Sequence, residues 1–87
     1  MIIKTLGETI EEEIDVGESV LNILMEKHDV ETIQTASSKL IKCIDKVCSK
    51  NQIWWKMIVN DERVLMSADK YYPKDRDKIL LDYGEFQ

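Results

Sequence analysis

The apolar positions fall into short alternating runs, interrupted once by a helical spacing. Residues 1–6 form a β-rich run. Gly7-Glu8 then supplies a turn before residues 9–16, where Ile10, Ile14 and Val16 share one face of a second strand. Glu11, Glu13 and Asp15 take the opposite face, as a hairpin with one side in water requires, and Glu12 points inward only at an edge or in an irregular strand. Gly17 ends the segment, and Ser19 is placed to cap a helix. Val20, Leu21, Ile23, Leu24 and Met25 follow at the spacing of a short amphipathic helix pressed on a sheet, closed by His28-Asp29.

Residues 29–39, rich in Thr and Ser, read as a loop or irregular extended segment with Val30 and Ile33 tucked beneath it. Residues 40–45 read as a third strand, and residues 46–51 as a connection carrying Cys48. Residues 52–59, with Trp, Ile and Val, form the strongest strand signal in the chain. Asn60-Asp61 supplies a tight turn, because both residue types tolerate left-handed backbone, and residues 63–66 return as a partner strand. A loop marked by Pro73 follows, then a last strand over residues 78–83. Hairpin, helix and three or four further strands predict an α+β domain of β-grasp type. Its sheet is mixed and four- to six-stranded, with one main helix on one face.

At 87 residues the chain accommodates a single domain, residues 1–87, with one modest core. A hydrophobic content of 44% beside 33% charged residues fits a chain that folds alone. The net charge of −5 argues against nucleic acid and against anionic membrane surfaces as partners, since both need clustered Lys and Arg. No apolar run reaches the ~18 residues of a spanning helix. The N-terminus lacks the pattern of a secretory leader, so a cytoplasmic location is expected, or a secreted one where a leader has been removed. In a reducing compartment Cys43 and Cys48 are expected as free thiols packing as small apolar groups.

Candidates for catalysis are few. The one histidine, His28, has no convergent partners evident nearby and reads as a favourable cation at the helix end. Asp75 and Asp77 read as turn formers in a charged loop. Five-residue spacing of the two cysteines matches neither a Cys-x-x-Cys redox motif nor half of a common zinc site, so no metal is expected. An enzyme is therefore not expected. The aromatic residues stand out instead: Trp54-Trp55, Tyr71-Tyr72 beside Pro73, and Tyr83. Adjacent strand residues point to opposite faces, so one tryptophan belongs to the core and the other faces water, a ligand or a partner.

Two stretches, Ile53-Trp54-Trp55-Lys56-Met57-Ile58-Val59-Asn60-Asp61 and the run from Ser67 through Pro73-Lys74-Asp75-Arg76-Asp77 to Leu81, resemble the C-terminal β-domain of transcobalamin and intrinsic factor. Gly17-Glu18-Ser19-Val20-Leu21 resembles that family's turn into its single helix. Asp61 and Arg76 stand where the family usually has glycine. The resemblance implies a lid-like surface for cobalamin or another corrinoid, formed by Trp54, Trp55, Leu65, Met66 and Tyr71. The expected function is a non-catalytic module for a small apolar or tetrapyrrole-like ligand, contacted through the exposed tryptophan and residues 68–73. The alternative is a protein-interaction adaptor or homodimer that uses the same aromatic patch or an exposed strand edge.

Overall fold

The computed structural model describes residues 1–5, 7–64 and 66–85. Its elements in chain order are β1 (Ile2–Lys4), β2 (Thr9–Glu11), α1 (Val20–Lys27), β3 (Val30–Gln34), β4 (Lys39–Ile44), β5 (Val47–Cys48), β6 (Ile53–Val59), β7 (Glu62–Arg63) and β8 (Ile79–Glu85). They form two sheets rather than the one expected. A five-stranded mixed sheet runs β2-β1-β8-β6-β7, and a three-stranded sheet runs β3-β4-β5. β1 lies parallel to β8, and β6 pairs antiparallel with β8 over seven residues, from Ile53↔Glu85 to Val59↔Ile79.

Alternation along β6 and β8 sorts their side chains. Met57, Val59, Ile79, Leu81 and Tyr83 are buried, whereas Trp54, Lys56, Ile58, Leu80 and Asp82 lie on the opposite face. The buried face meets Val20, Leu21, Ile23 and Leu24 of α1, and these residues form one cluster with Ile3 and Ile44. Ile23 and Leu24 are fully buried, each contributing about 1.5–3 kcal/mol by leaving water. Met25 of the same helix faces solvent, as does Val16, because β2 ends at Glu11 and Val16 falls in the irregular segment after it.

The helix start follows the sequence signal. Ser19 is the N-cap, and its hydroxyl accepts from the Asn22 amide. The two earlier amides donate to the loop after β7: Val20 N–H to the Tyr71 carbonyl and Leu21 N–H to the Ala68 carbonyl, both at 3.0 Å. Loop and helix terminus thereby satisfy each other's backbone.

Residues 30–34, expected as a loop or irregular extended segment, are the regular strand β3. Cross-strand pairing with β4, from Val30↔Ile44 to Gln34↔Lys39, overrides their polar composition. Cys43 and Cys48, expected as free thiols, form a disulfide. The reason is register. Asp45 and Lys46 both take positive φ, a two-residue turn of the kind that closes tight hairpins, and this sets Cys43 directly opposite Cys48.

Asn60 and Asp61 make a second such turn, with φ of 52° and 67°. Arg76 also sits at positive φ, 72°, and is exposed. A left-handed backbone costs a residue with a Cβ about 1–2 kcal/mol, while a glycine loses more entropy on folding. On balance Arg76→Gly is expected to raise stability by about 0.5–1 kcal/mol, read as a higher urea midpoint at unchanged slope.

Candidate functional site

The two tryptophans divide as strand geometry requires. Trp55 turns inward and donates its indole N–H to the Val47 carbonyl at 3.1 Å, and its ring packs on Tyr83 with centroids 5.0 Å apart. Tyr83 in turn donates its hydroxyl to the Cys48 carbonyl at 2.7 Å. These two bonds fasten β5, and with it the disulfide hairpin, to the five-stranded sheet. Trp54 turns outward and is 43% exposed.

β7 pairs only with Ile58 and Val59, so residues 54–56 of β6 have no strand partner on that side among the described residues. A groove of about 810 Å³ opens there. The β3–β4 hairpin contributes Ile33 and Leu40, β6 contributes Trp54 and Trp55, and the segment after β7 contributes Met66 and Ala68. Ile33, Leu40, Trp54 and Met66, four of the exposed large apolar side chains, therefore converge on one concavity. Scattered surface apolars need no explanation, but their convergence in a hollow makes this groove the candidate site. Asp69 joins the walls: its carboxylate accepts from the Lys39 amide at the start of β4 and from the Ser67 hydroxyl.

Of the residues expected to contact ligand, Trp54, Trp55 and Met66 line this groove. Leu65 lies outside the described residues. Tyr71 is placed elsewhere: it packs against the core, and its hydroxyl donates to Asp77 at 2.9 Å. Within residues 68–73, Ala68 is the one lining residue. Ile33 and Leu40 escaped sequence reading because both belong to the second sheet, whose position beside β6 has no local signature.

His28 departs from the expectation that it lacks partners. Its Nδ1 lies 2.6 Å from Asp45 Oδ2 and its Nε2 lies 3.0 Å from Glu12 Oε1. Glu12 also pairs with Lys27 at 3.7 Å. Both ring nitrogens are committed, so the imidazole is a structural cross-link between the end of α1, the segment after β2 and the β4–β5 turn. Glu31 lies beside the two cysteine sulfurs, but those sulfurs are bonded to each other rather than available as thiolate ligands.

Three aspartates are held below the usual carboxylate range. Burial opposes ionisation of Asp45, but hydrogen bonds from His28 and the Asp29 amide outweigh it. For Asp69 the Ser67 hydrogen bond dominates over burial, with the Lys39 amide adding to it. For Asp77 the Lys74 amide leads, followed by Asn60 and Tyr71. A carboxyl with a depressed folded-state pKa contributes stability above its unfolded pKa, ~3.9, and that contribution vanishes as pH falls through the folded value. The urea midpoint is therefore expected to fall below about pH 4. Asp45→Asn should flatten that acid limb, and an unchanged limb would show that the His28 cross-link is not responsible.

No curated protein matches the chain in sequence. A crystal structure of haptocorrin in complex with Cbi matches it in structure, with a TM-score of 0.80 at 13% sequence identity. The match covers 99% of this chain and 24% of that one, so the chain spans about a quarter of the haptocorrin chain whose fold it shares. No described helix is long and apolar enough to cross a membrane. Residues 17–85 match the family described as a domain of unknown function (DUF4430), and the chain belongs to that family.

Proposed function

We propose that this domain is a non-catalytic ligand-binding module, with the groove beside β6 as its site and Trp54 as its apolar anchor. The observation that carries the reading is the convergence of Ile33, Leu40, Trp54 and Met66, all solvent-exposed, on one hollow of about 810 Å³. That volume falls in the range of small-molecule sites. Among the described residues lining the groove there is no His, Cys, Asp or Glu, which supports binding over acid-base or nucleophilic chemistry. A flat corrinoid suits an open groove walled by an indole and branched apolar chains, and the likeness to haptocorrin, solved with Cbi, supports that ligand class. Because the groove is open, a second protein surface would be needed to enclose a ligand of this size. The strand order β2-β1-β8-β6, with β1 parallel to β8, supports reading the main sheet as a β-grasp variant. The Cys43–Cys48 disulfide supports an oxidising, extracytoplasmic location over the cytoplasm.

Titration of tryptophan fluorescence with cobalamin, corrected for inner-filter absorption, tests the reading. Saturable quenching that Trp54→Ala weakens at least about tenfold is expected, since a desolvated aromatic anchor is worth that much or more. No saturable change across cobalamin, cobinamide and haem would remove the cofactor reading and favour a docking surface for another protein.

A further inference from the structure

Away from the groove, a cluster of metal-ligating side chains stands in a row across the three-stranded sheet. Glu31 of β3 pairs with Cys43 of β4, and Cys43 pairs with Cys48 of β5. Residues paired directly across neighbouring strands share a face, so the carboxylate and the two sulfurs lie together, all within 4.8 Å of one another. The sulfurs are joined as a disulfide, but that bond is not what brings them together. The Asp45-Lys46 turn sets the register, and hydrogen bonds hold β5 in place: the Trp55 indole donates to the Val47 carbonyl, the Tyr83 hydroxyl to the Cys48 carbonyl, and the Ser49 amide and hydroxyl to the Lys42 carbonyl. At the turn, the Asp45 amide donates to the Asp29 carbonyl at 2.7 Å, and the Asp45 carboxylate accepts from the Asp29 amide at 3.0 Å. None of these bonds involves the disulfide, so two thiols formed there stay opposite one another and beside Glu31. None of the three residues lines the groove.

We infer that Glu31, Cys43 and Cys48 form a separate site for a thiophilic divalent cation of the zinc class, closed while the disulfide stands and opened by a dithiol reductant. Opening is a thiol–disulfide exchange. A thiolate of the reductant attacks the half-buried Cys48 sulfur, and the Cys43 sulfur, 1% exposed, leaves with the electron pair and takes up a proton. The reductant's second thiol loses its proton and closes on the reductant's own sulfur in the mixed disulfide. Cys48 is thereby released as a thiol, and the reductant departs as a cyclic disulfide. Two thiolates and one carboxylate are donors that a zinc-class ion accepts, and three protein ligands leave its fourth tetrahedral position to water. Binding displaces the two thiol protons to solvent. The net charge of −5 attracts a cation at long range. The same residues are thus a covalent staple in an oxidising compartment and a cation site in a reducing one.

Cobalt(II) is the probe, because thiolate ligation gives it a near-ultraviolet charge-transfer band and four-coordination gives it intense visible bands. The chain is reduced with a phosphine, freed of reductant under anaerobic conditions and titrated. Near-ultraviolet circular dichroism of the Trp55–Tyr83 pair verifies the fold in each redox state. One cobalt ion per chain with both kinds of band is expected in the reduced protein, and neither in the oxidised one. Zinc should then displace the cobalt and abolish the bands, since zinc binds such ligands more tightly. Cys48→Ser should remove most of the charge-transfer intensity. Glu31→Gln should weaken cobalt binding at least about tenfold, the scale on which metal sites respond to the loss of a supporting group. Its disulfide should still form, which a free-thiol titration reads directly. Absence of the charge-transfer band from the reduced protein, folded or not, would overturn the inference. So would two chains sharing one ion, an equally intense band before reduction, or an affinity that Glu31→Gln leaves unchanged.

Discussion

Trp55→Ala is expected to destabilise the domain by about 3 kcal/mol, whereas Trp54→Ala, one residue away, should cost less than about 1 kcal/mol. The alternation of β6 is the cause. Trp55 packs on Tyr83 and donates to the Val47 carbonyl, so truncation removes an aromatic pair, leaves a cavity and strands an acceptor. Trp54 is 43% exposed and lies across from Gly84, which offers no side chain to pack on. Trp55→Phe separates the contributions, because it keeps most of the ring and loses only the N–H, for about 1 kcal/mol. Thermal unfolding reads both: each kcal/mol shifts the midpoint by roughly 4–8 °C in a domain of this size. Comparable losses at the two positions would contradict the facing of β6, and with it the assignment of Trp54 to the groove.

Leu81→Ala should be at least as damaging, at about 3–4 kcal/mol. Leu81 sits at the centre of the five-stranded sheet, opposite Ile3 of β1 on one side and Met57 of β6 on the other, and is 1% exposed beneath α1. A small domain has a total stability of about 4–13 kcal/mol at this length, so the substitution removes a large share of it. Chemical denaturation measures the loss directly. A cost below about 1 kcal/mol would mean that helix and sheet repack freely.

What could be read from the residues was whatever depends on local periodicity. The alternation of β6 and β8, the Ser19 cap and the Asn60-Asp61 turn each have a signature within a few positions, and each appears where the residues place it. What could not be read depends on register and on distant segments. Asp45-Lys46 is a weak turn signal, yet it sets Cys43 against Cys48, and the disulfide follows from that pairing rather than from cysteine spacing. β3 is polar enough to pass for a loop until β4 pairs with it. The partners of His28 lie 16 and 17 positions away in sequence. The groove is the extreme case. That one of Trp54 and Trp55 faces outward was legible, but not which, and Ile33 and Leu40 join Trp54 only because a second sheet stands beside the open edge of β6. Positive φ at Asp61 and Arg76 likewise gives a backbone reason for the glycines seen there in the resembling family.

The central claim is that the hollow beside β6 is where this domain meets its ligand. The most direct measurement is amide and indole chemical-shift mapping by nuclear magnetic resonance on the folded, disulfide-bonded domain during titration with cobinamide. The account predicts saturable shifts concentrated on the Trp54 indole and on Ile33, Leu40 and Met66, with the His28 cross-link and the strand β2 unaffected. Shifts spread evenly over the surface, or confined to the face of β1 and β2, would contradict it.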